Sequence, residues 1–103
     1  MKKLIFIWML LIGVSLQGWA QEKTITVVGI VTDTNKEPLV GVNISVQNTP
    51  GLGVITDING KYRINVPAYA RLVFSYIGYE TVPVLIKEQT VVNVTMKEAV
   101  STV

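Results

Sequence analysis

The sequence predicts an all-β fold, a seven-stranded Greek-key β-sandwich. Three observations carry that prediction. Apolar and polar residues alternate over short runs, the period-two pattern of half-buried strands. Gly, Pro, Asp and Asn clusters punctuate the runs roughly every 8–12 residues, as sandwich turns do. No stretch after Ala20 carries the apolar stripe of a helix.

The first twenty residues read differently. Lys2 and Lys3 form a positive start, Leu4 to Leu16 is almost wholly apolar, and Gly18-Trp19-Ala20 offers small residues around a cut before Gln21. That is the pattern of a secretory signal peptide over 1–20. A transmembrane anchor would need about 20 apolar residues, and this run stops at Gln17. The chain has no Cys, so a lipid has no attachment point. Removing Lys2 and Lys3 leaves seven basic residues against the seven acids, all of which follow Ala20. The mature chain is then near neutral, without the basic patch that a nucleic acid or an anionic membrane would require. Roughly eighty residues support one domain with a modest core, expected over 21–97, with a disordered tail over 98–103. No membrane span is expected once the signal is removed.

Each strand has its own justification. In Thr24 to Thr32, Ile25, Val27, Gly29 and Val31 share one face. Gly29 in mid-strand marks a bulge or a close backbone approach. Asp33 to Pro38 is a polar turn. Val42, Ile44 and Val46 alternate with Asn43, Ser45 and Gln47 as a second strand. Val54 to Thr56 is a short third strand, after a loop containing Pro50 and two glycines. Asp57-Ile58-Asn59-Gly60 is a hairpin turn, with Gly60 free to take positive φ. Tyr62, Ile64 and Val66 form the inward face of a fourth strand, which Pro67 ends. Leu72 to Ile77 is the most apolar strand, with Phe74 at its middle, and Gly78 turns the chain. Glu80 to Leu85 reads as an edge strand, because Pro83 has no ladder donor. Val92, Val94 and Met96 point inward in a last strand.

In order, these segments resemble the carboxypeptidase-regulatory-like domain, and more narrowly the version that opens SusC/RagA-type TonB-linked outer-membrane transporters. The resemblance rests on Gly29, Val31 and Asp33; on Pro38-Leu39, Gly41-Val42 and Val46; on Thr56-Asp57, Gly60 and Tyr62; on Val66-Pro67; on Leu72 with Phe74-Ser75-Tyr76-Ile77-Gly78-Tyr79; and on Asn93-Val94. It covers nearly all of the mature chain, which is expected to be the leading domain of a nutrient or glycan transporter without its plug and barrel. Lys36-Glu37 stands where Asn-Gly or Asp-Gly is usual. The resemblance implies a transthyretin/prealbumin-like sandwich. It also implies a location in the periplasm or at the outer membrane, with a protein partner: the plug or barrel of a TonB-dependent transporter, or its accessory lipoprotein. Contact with glycan would be indirect only. A reading from another class is a freestanding secreted binding module for protein or glycan.

The residues offer little chemistry. With no His and no Cys, Ser-His-Asp triads, cysteine nucleophiles and ordinary zinc ligation drop out. No catalytic, cofactor-binding or metal residue is expected, no cofactor, and no enzyme. Asp57 and Asn59 alternate as calcium ligands do, but the loop has few carboxylates and no downstream bidentate Glu. Asp57 and Asp33 read better as turn residues that accept backbone amides. Tyr62, Tyr69, Phe74, Tyr76 and Tyr79 could stack a sugar, but alternation turns Tyr62 and Phe74 into the core. Asn43-Ile44-Ser45 and Asn93-Val94-Thr95 match the N-glycosylation sequon by chance on strands. The last expectation concerns an interaction surface. Val28 and Ile30 fall on the outer face of the first strand, with the Pro83 edge as a neighbouring site for strand addition.

Overall fold

The computed structural model describes residues 23–100. The expected signal peptide and its cut before Gln21 lie outside the described residues. Seven strands follow in order: β1 Thr24–Thr32, β2 Asn43–Val46, β3 Gly53–Ile55, β4 Lys61–Pro67, β5 Arg71–Ser75, β6 Val82–Leu85 and β7 Val94–Thr95. No helix occurs among the described residues. The strands form two sheets, β4-β1-β7 and β3-β2-β5-β6. The chain changes sheet after β1, β3, β4 and β6, so the all-β sandwich read from the sequence is the fold observed.

Alternation decides what is buried. Val27 and Val31 of β1, Ile64 and Val66 of β4, and Val94 of β7 face inward from the smaller sheet. Ile44 and Val46 of β2 with Leu72 and Phe74 of β5 meet them from the larger one. Phe74 sits between Ile44 and Val82 in the larger sheet's register and is fully buried. The Tyr62 ring meets it in a T-shaped contact across the sandwich, with centroids 5.4 Å apart at 77°, a favourable aromatic geometry.

Several elements differ from expectation. The third strand begins at Gly53, and Thr56 leaves it to turn inward. The fifth strand ends at Ser75, and Ile77, expected within it, is exposed. The last strand is shorter than expected, Val94–Thr95, and pairs with β1 in parallel, Val31 with Val94 and Thr32 with Thr95. Of the tail expected over 98–103, the first residues are paired. Glu80 N–H donates to Lys97 C=O at 2.8 Å, Ala99 N–H donates to Gly78 C=O at 2.9 Å, and Tyr79 bridges to Glu98. Backbone pairing needs no apolar alternation, so the sequence pattern shows no sign of it.

Candidate interaction face

The outer face of the smaller sheet holds the residues expected to meet a partner. Val28 and Ile30 are each 38% exposed and Val91 is 62% exposed. In register, Arg63 stands opposite Val28 and Lys61 opposite Ile30, while Val91 bridges to Val28 on the other side. These side chains, with Ile55 and Asn93, line a groove of about 690 Å³ over β1, β4 and the chain before β7. The ion pair among the described residues is Lys23 with Glu88, at the opposite end of the sandwich. Lys61 and Arg63 therefore meet no carboxylate at ion-pair distance there. The face is an apolar strip with Lys61 and Arg63 along its β4 side and, beside them, the Asp57 carboxylate that accepts Lys61 N–H.

The sequence expectation is corrected in one respect. Pro83 does mark an edge strand, but β6 belongs to the other sheet. Val28, Ile30 and the Pro83 edge do not form one surface. Val28 and Pro83 lie in the first and sixth strands, far apart in the chain, and no local pattern says whether such strands share a sheet.

The face is held in place by an irregularity at Gly29. A regular parallel ladder would have Ile30 N–H donate to the carbonyl of Val92, continuing the bonds Val28 N–H to Thr90 C=O and Val92 N–H to Val28 C=O, each 2.9 Å. Instead the Asn93 side-chain Oδ1 accepts Ile30 N–H at 3.0 Å. The Val92 carbonyl turns over Gly29, where a Cβ would lie 1.8 Å from its oxygen. There it accepts the Tyr62 hydroxyl at 2.6 Å. Burial of that phenol pushes its pKa up to about 12. Gly29, Tyr62 and Asn93 thus form one device that joins β7 to β1. The close approach at Gly29 was readable from the sequence, but the partnership of the three residues was not.

Asp33 and Asp57 build two copies of one turn. Asp33 Oδ1 accepts the N–H of Asn35 and Glu37 at 2.8 and 3.0 Å. Asp57 Oδ1 accepts the N–H of Asn59 and Lys61 at 2.9 and 3.0 Å. The fourth residue of each turn, Lys36 or Gly60, has positive φ. Both carboxylates serve the backbone as Asx turns do. Among the described residues no three His, Cys, Asp or Glu side chains gather as a metal site would require. The five aromatics do not assemble. Tyr62 and Phe74 are core, Tyr76 pairs with Tyr79, and Tyr69 stands exposed elsewhere. Sequence reasoning missed Thr56, the buried polar residue of the core. Its hydroxyl accepts Val42 N–H at 2.9 Å and donates to Leu39 C=O at 2.6 Å, which fixes the loop before β2.

Comparison with known proteins agrees with this architecture. The model of the CarboxypepD_reg-like domain matches residues 27–103. The chain belongs to this family. It is 37% identical over 90 residues to the TonB-dependent receptor SusC of Bacteroides thetaiotaomicron, covering 87% of this chain and 9% of the receptor. It is 40% identical over 72 residues to the TonB-dependent receptor P39 of Formosa agariphila, covering 69% of this chain and 7% of that one. The chain thus spans less than a tenth of the length of either receptor. Among solved structures, 3-chlorocatechol 1,2-dioxygenase of Rhodococcus opacus 1CP has a similar fold. Its TM-score is 0.59 at 14% identity, covering 78% of this chain and 62% of the dioxygenase. At that identity the likeness concerns the fold alone.

Proposed function

We propose that this CarboxypepD_reg-like domain is a non-catalytic, exported module that works by protein contact within a TonB-dependent, SusC-type transport system on the periplasmic side of an outer membrane. The observation that carries this reading is the 37% identity to receptor SusC across 87% of the chain. The Lys2-Lys3 start, the apolar run and Gly18-Trp19-Ala20 support export. The absence of His and Cys and the use of Asp33 and Asp57 in turns support a role without catalysis. The outer face of Val28, Ile30 and Val91 is the surface proposed to meet the receptor's own plug or barrel, or an accessory lipoprotein. Two apolar strand residues flanked by cations suit such a contact.

The test is fractionation of the cells that make the chain, followed by crosslinking. The chain is expected in the outer-membrane fraction, crosslinked to a TonB-dependent receptor, with a mature start at Gln21. Replacing Val28 and Ile30 by Lys should leave the melting curve intact and reduce the crosslinked yield. Recovery in the cytoplasm with Met1 retained would refute the reading.

A further inference from the structure

The two sheets end in four edge strands, β4 and β7 in one and β3 and β6 in the other. An open edge shows unpaired N–H and C=O groups and can accept another strand. The ladder identifies which residues offer them. β1 turns the polar groups of Val28 toward the chain before β7. Its odd-numbered residues face β4, as the bond from Val31 N–H to Gly60 C=O at 2.8 Å requires. By register, Tyr62, Ile64 and Val66 answer Gly29, Val27 and Ile25, since alternate residues of an antiparallel pair exchange both bonds. Arg63 and Asn65 therefore direct their N–H and C=O groups away from the sheet. No backbone hydrogen bond satisfies those groups among the described residues, and β3 lies alongside the start of β4, with Ile55 in the same groove as Lys61 and Arg63. Lys61 spends its pair on Asp57.

The other edges are weaker acceptors. On β6 the even-numbered side faces inward, as Ile86 N–H to Ala70 C=O and Glu88 N–H to Ala68 C=O show. Pro83 therefore sits on the outward side, where it removes a donor. β3 has three residues and β7 two, against seven in β4. Charge selects the occupant of the β4 edge. Lys61 and Arg63 are exposed on its solvent face, and no described carboxylate stands at ion-pair distance from either. A second copy pairing antiparallel about Arg63 would set Arg against Arg, which is destabilising. An incoming strand with a carboxylate at every second position would set them against Lys61 and Arg63. Its intervening residues would extend the inward row of Tyr62, Ile64 and Val66, so they should be apolar.

We propose that the outer edge of β4 accepts an extended segment of a partner protein, with Asp or Glu at alternate positions and apolar residues between them, through the backbone groups of Arg63 and Asn65. This deepens the reading of the domain as a protein-contact module and rests on it. The test uses the purified chain, so its failure leaves the fractionation result standing. The probe is a blocked synthetic peptide of about ten residues alternating Glu and Val, with an alternating Lys and Val peptide as control. Each is titrated into isotope-labelled chain and followed by amide chemical shift and hydrogen exchange. The Glu peptide should shift and protect the amides of Arg63 and Asn65, and binding should weaken as salt rises. Arg63→Glu with Lys61→Glu should weaken it at least about tenfold, roughly 1.4 kcal/mol, and turn the preference to the Lys peptide. Asn65→Pro removes one outward donor while leaving the β1 ladder, and should also weaken binding. If the proline variant fails to melt like the parent, the charge reversal on exposed side chains decides alone. Absence of shifts at peptide concentrations of about 1 mM, equal binding of the Lys peptide, or shifts confined to β3, β6 or β7 would overturn the proposal.

Discussion

Replacing Gly29 by Ala should cost this small domain about 1–5 kcal/mol, although one methyl group is all that changes. The new Cβ would lie 1.8 Å from the Val92 oxygen, 2.7 Å from the Val92 carbonyl carbon and 2.9 Å from Tyr62 Cε1. Two of these atoms are backbone and cannot swing aside like the tip of a flexible side chain. The Val92 carbonyl must retreat by about 1 Å or more, and the bond from the Tyr62 hydroxyl and the Asn93 bond to Ile30 are strained with it. Two hydrogen bonds at a net ~0.5–1.5 kcal/mol each amount to about 1–3. Overpacking adds about 1–3, and the reduced entropy of the unfolded chain returns about 0.5–1. Urea denaturation of both proteins measures the difference. The same substitution in a Tyr62→Phe background should cost about 1 kcal/mol less, because the hydroxyl bond is already gone. A loss below about 1 kcal/mol in the parent background, or strict additivity with Tyr62→Phe, would refute the account of β7 as joined to β1 through this knot.

Phe74→Ala should destabilise by about 3–5 kcal/mol, a large share of the roughly 5–15 kcal/mol that holds such a domain together, and chemical denaturation measures it. Thr56→Val keeps the shape of the side chain but strips partners from Val42 N–H and Leu39 C=O. Equilibrium unfolding should report a loss of about 1–3 kcal/mol, with Thr56→Ser close to the parent. Alkaline titration should show the Tyr62 phenol. Its folded pKa lies above the ordinary value of 10.0, at about 12, so the folded state keeps a proton that the unfolded chain gives up. Its stabilising effect is whole below about pH 10 and is lost as pH rises toward 12. Unfolding curves collected across that range should fall more steeply for the parent than for Tyr62→Phe.

Much of the architecture was legible because a β-strand repeats every two residues. Ile44 and Val46, Ile64 and Val66, and Leu72 and Phe74 could be assigned inward faces from alternation alone, and the turns at Asp33 and Asp57 from residue types that satisfy backbone amides. What alternation does not encode is which strand lies beside which. The parallel partnership of β1 with β7, the pairing of Glu98 with Tyr79 and the separation of Pro83 from Val28 are long-range facts that leave no local period. The site divides in the same way. Exposure of Val28 and Ile30 followed from their place in the alternation. The carboxamide of Asn93 substituting for a carbonyl did not, since an Asn in a strand reads as an ordinary polar position. Thr56 was hidden for a similar reason, because its burial depends on a loop folding back over it from Leu39 to Val42.

The parallel join of β1 and β7 has a mechanical consequence. β1 begins at one end of the sandwich, at Thr24, and β7 ends at the other, at Thr95. Tension applied through the two ends of the domain therefore draws the strands along their own length in opposite directions. The bonds of Val28 with Thr90 and Val92, of Ile30 with Asn93 and of Thr32 with Met96 lie across that pull and share it. They are loaded in shear and must give way together, whereas a hairpin pulled from its open end parts one bond at a time. The seam that closes the smaller sheet is thus also a clamp against extension, and Gly29 lies within it.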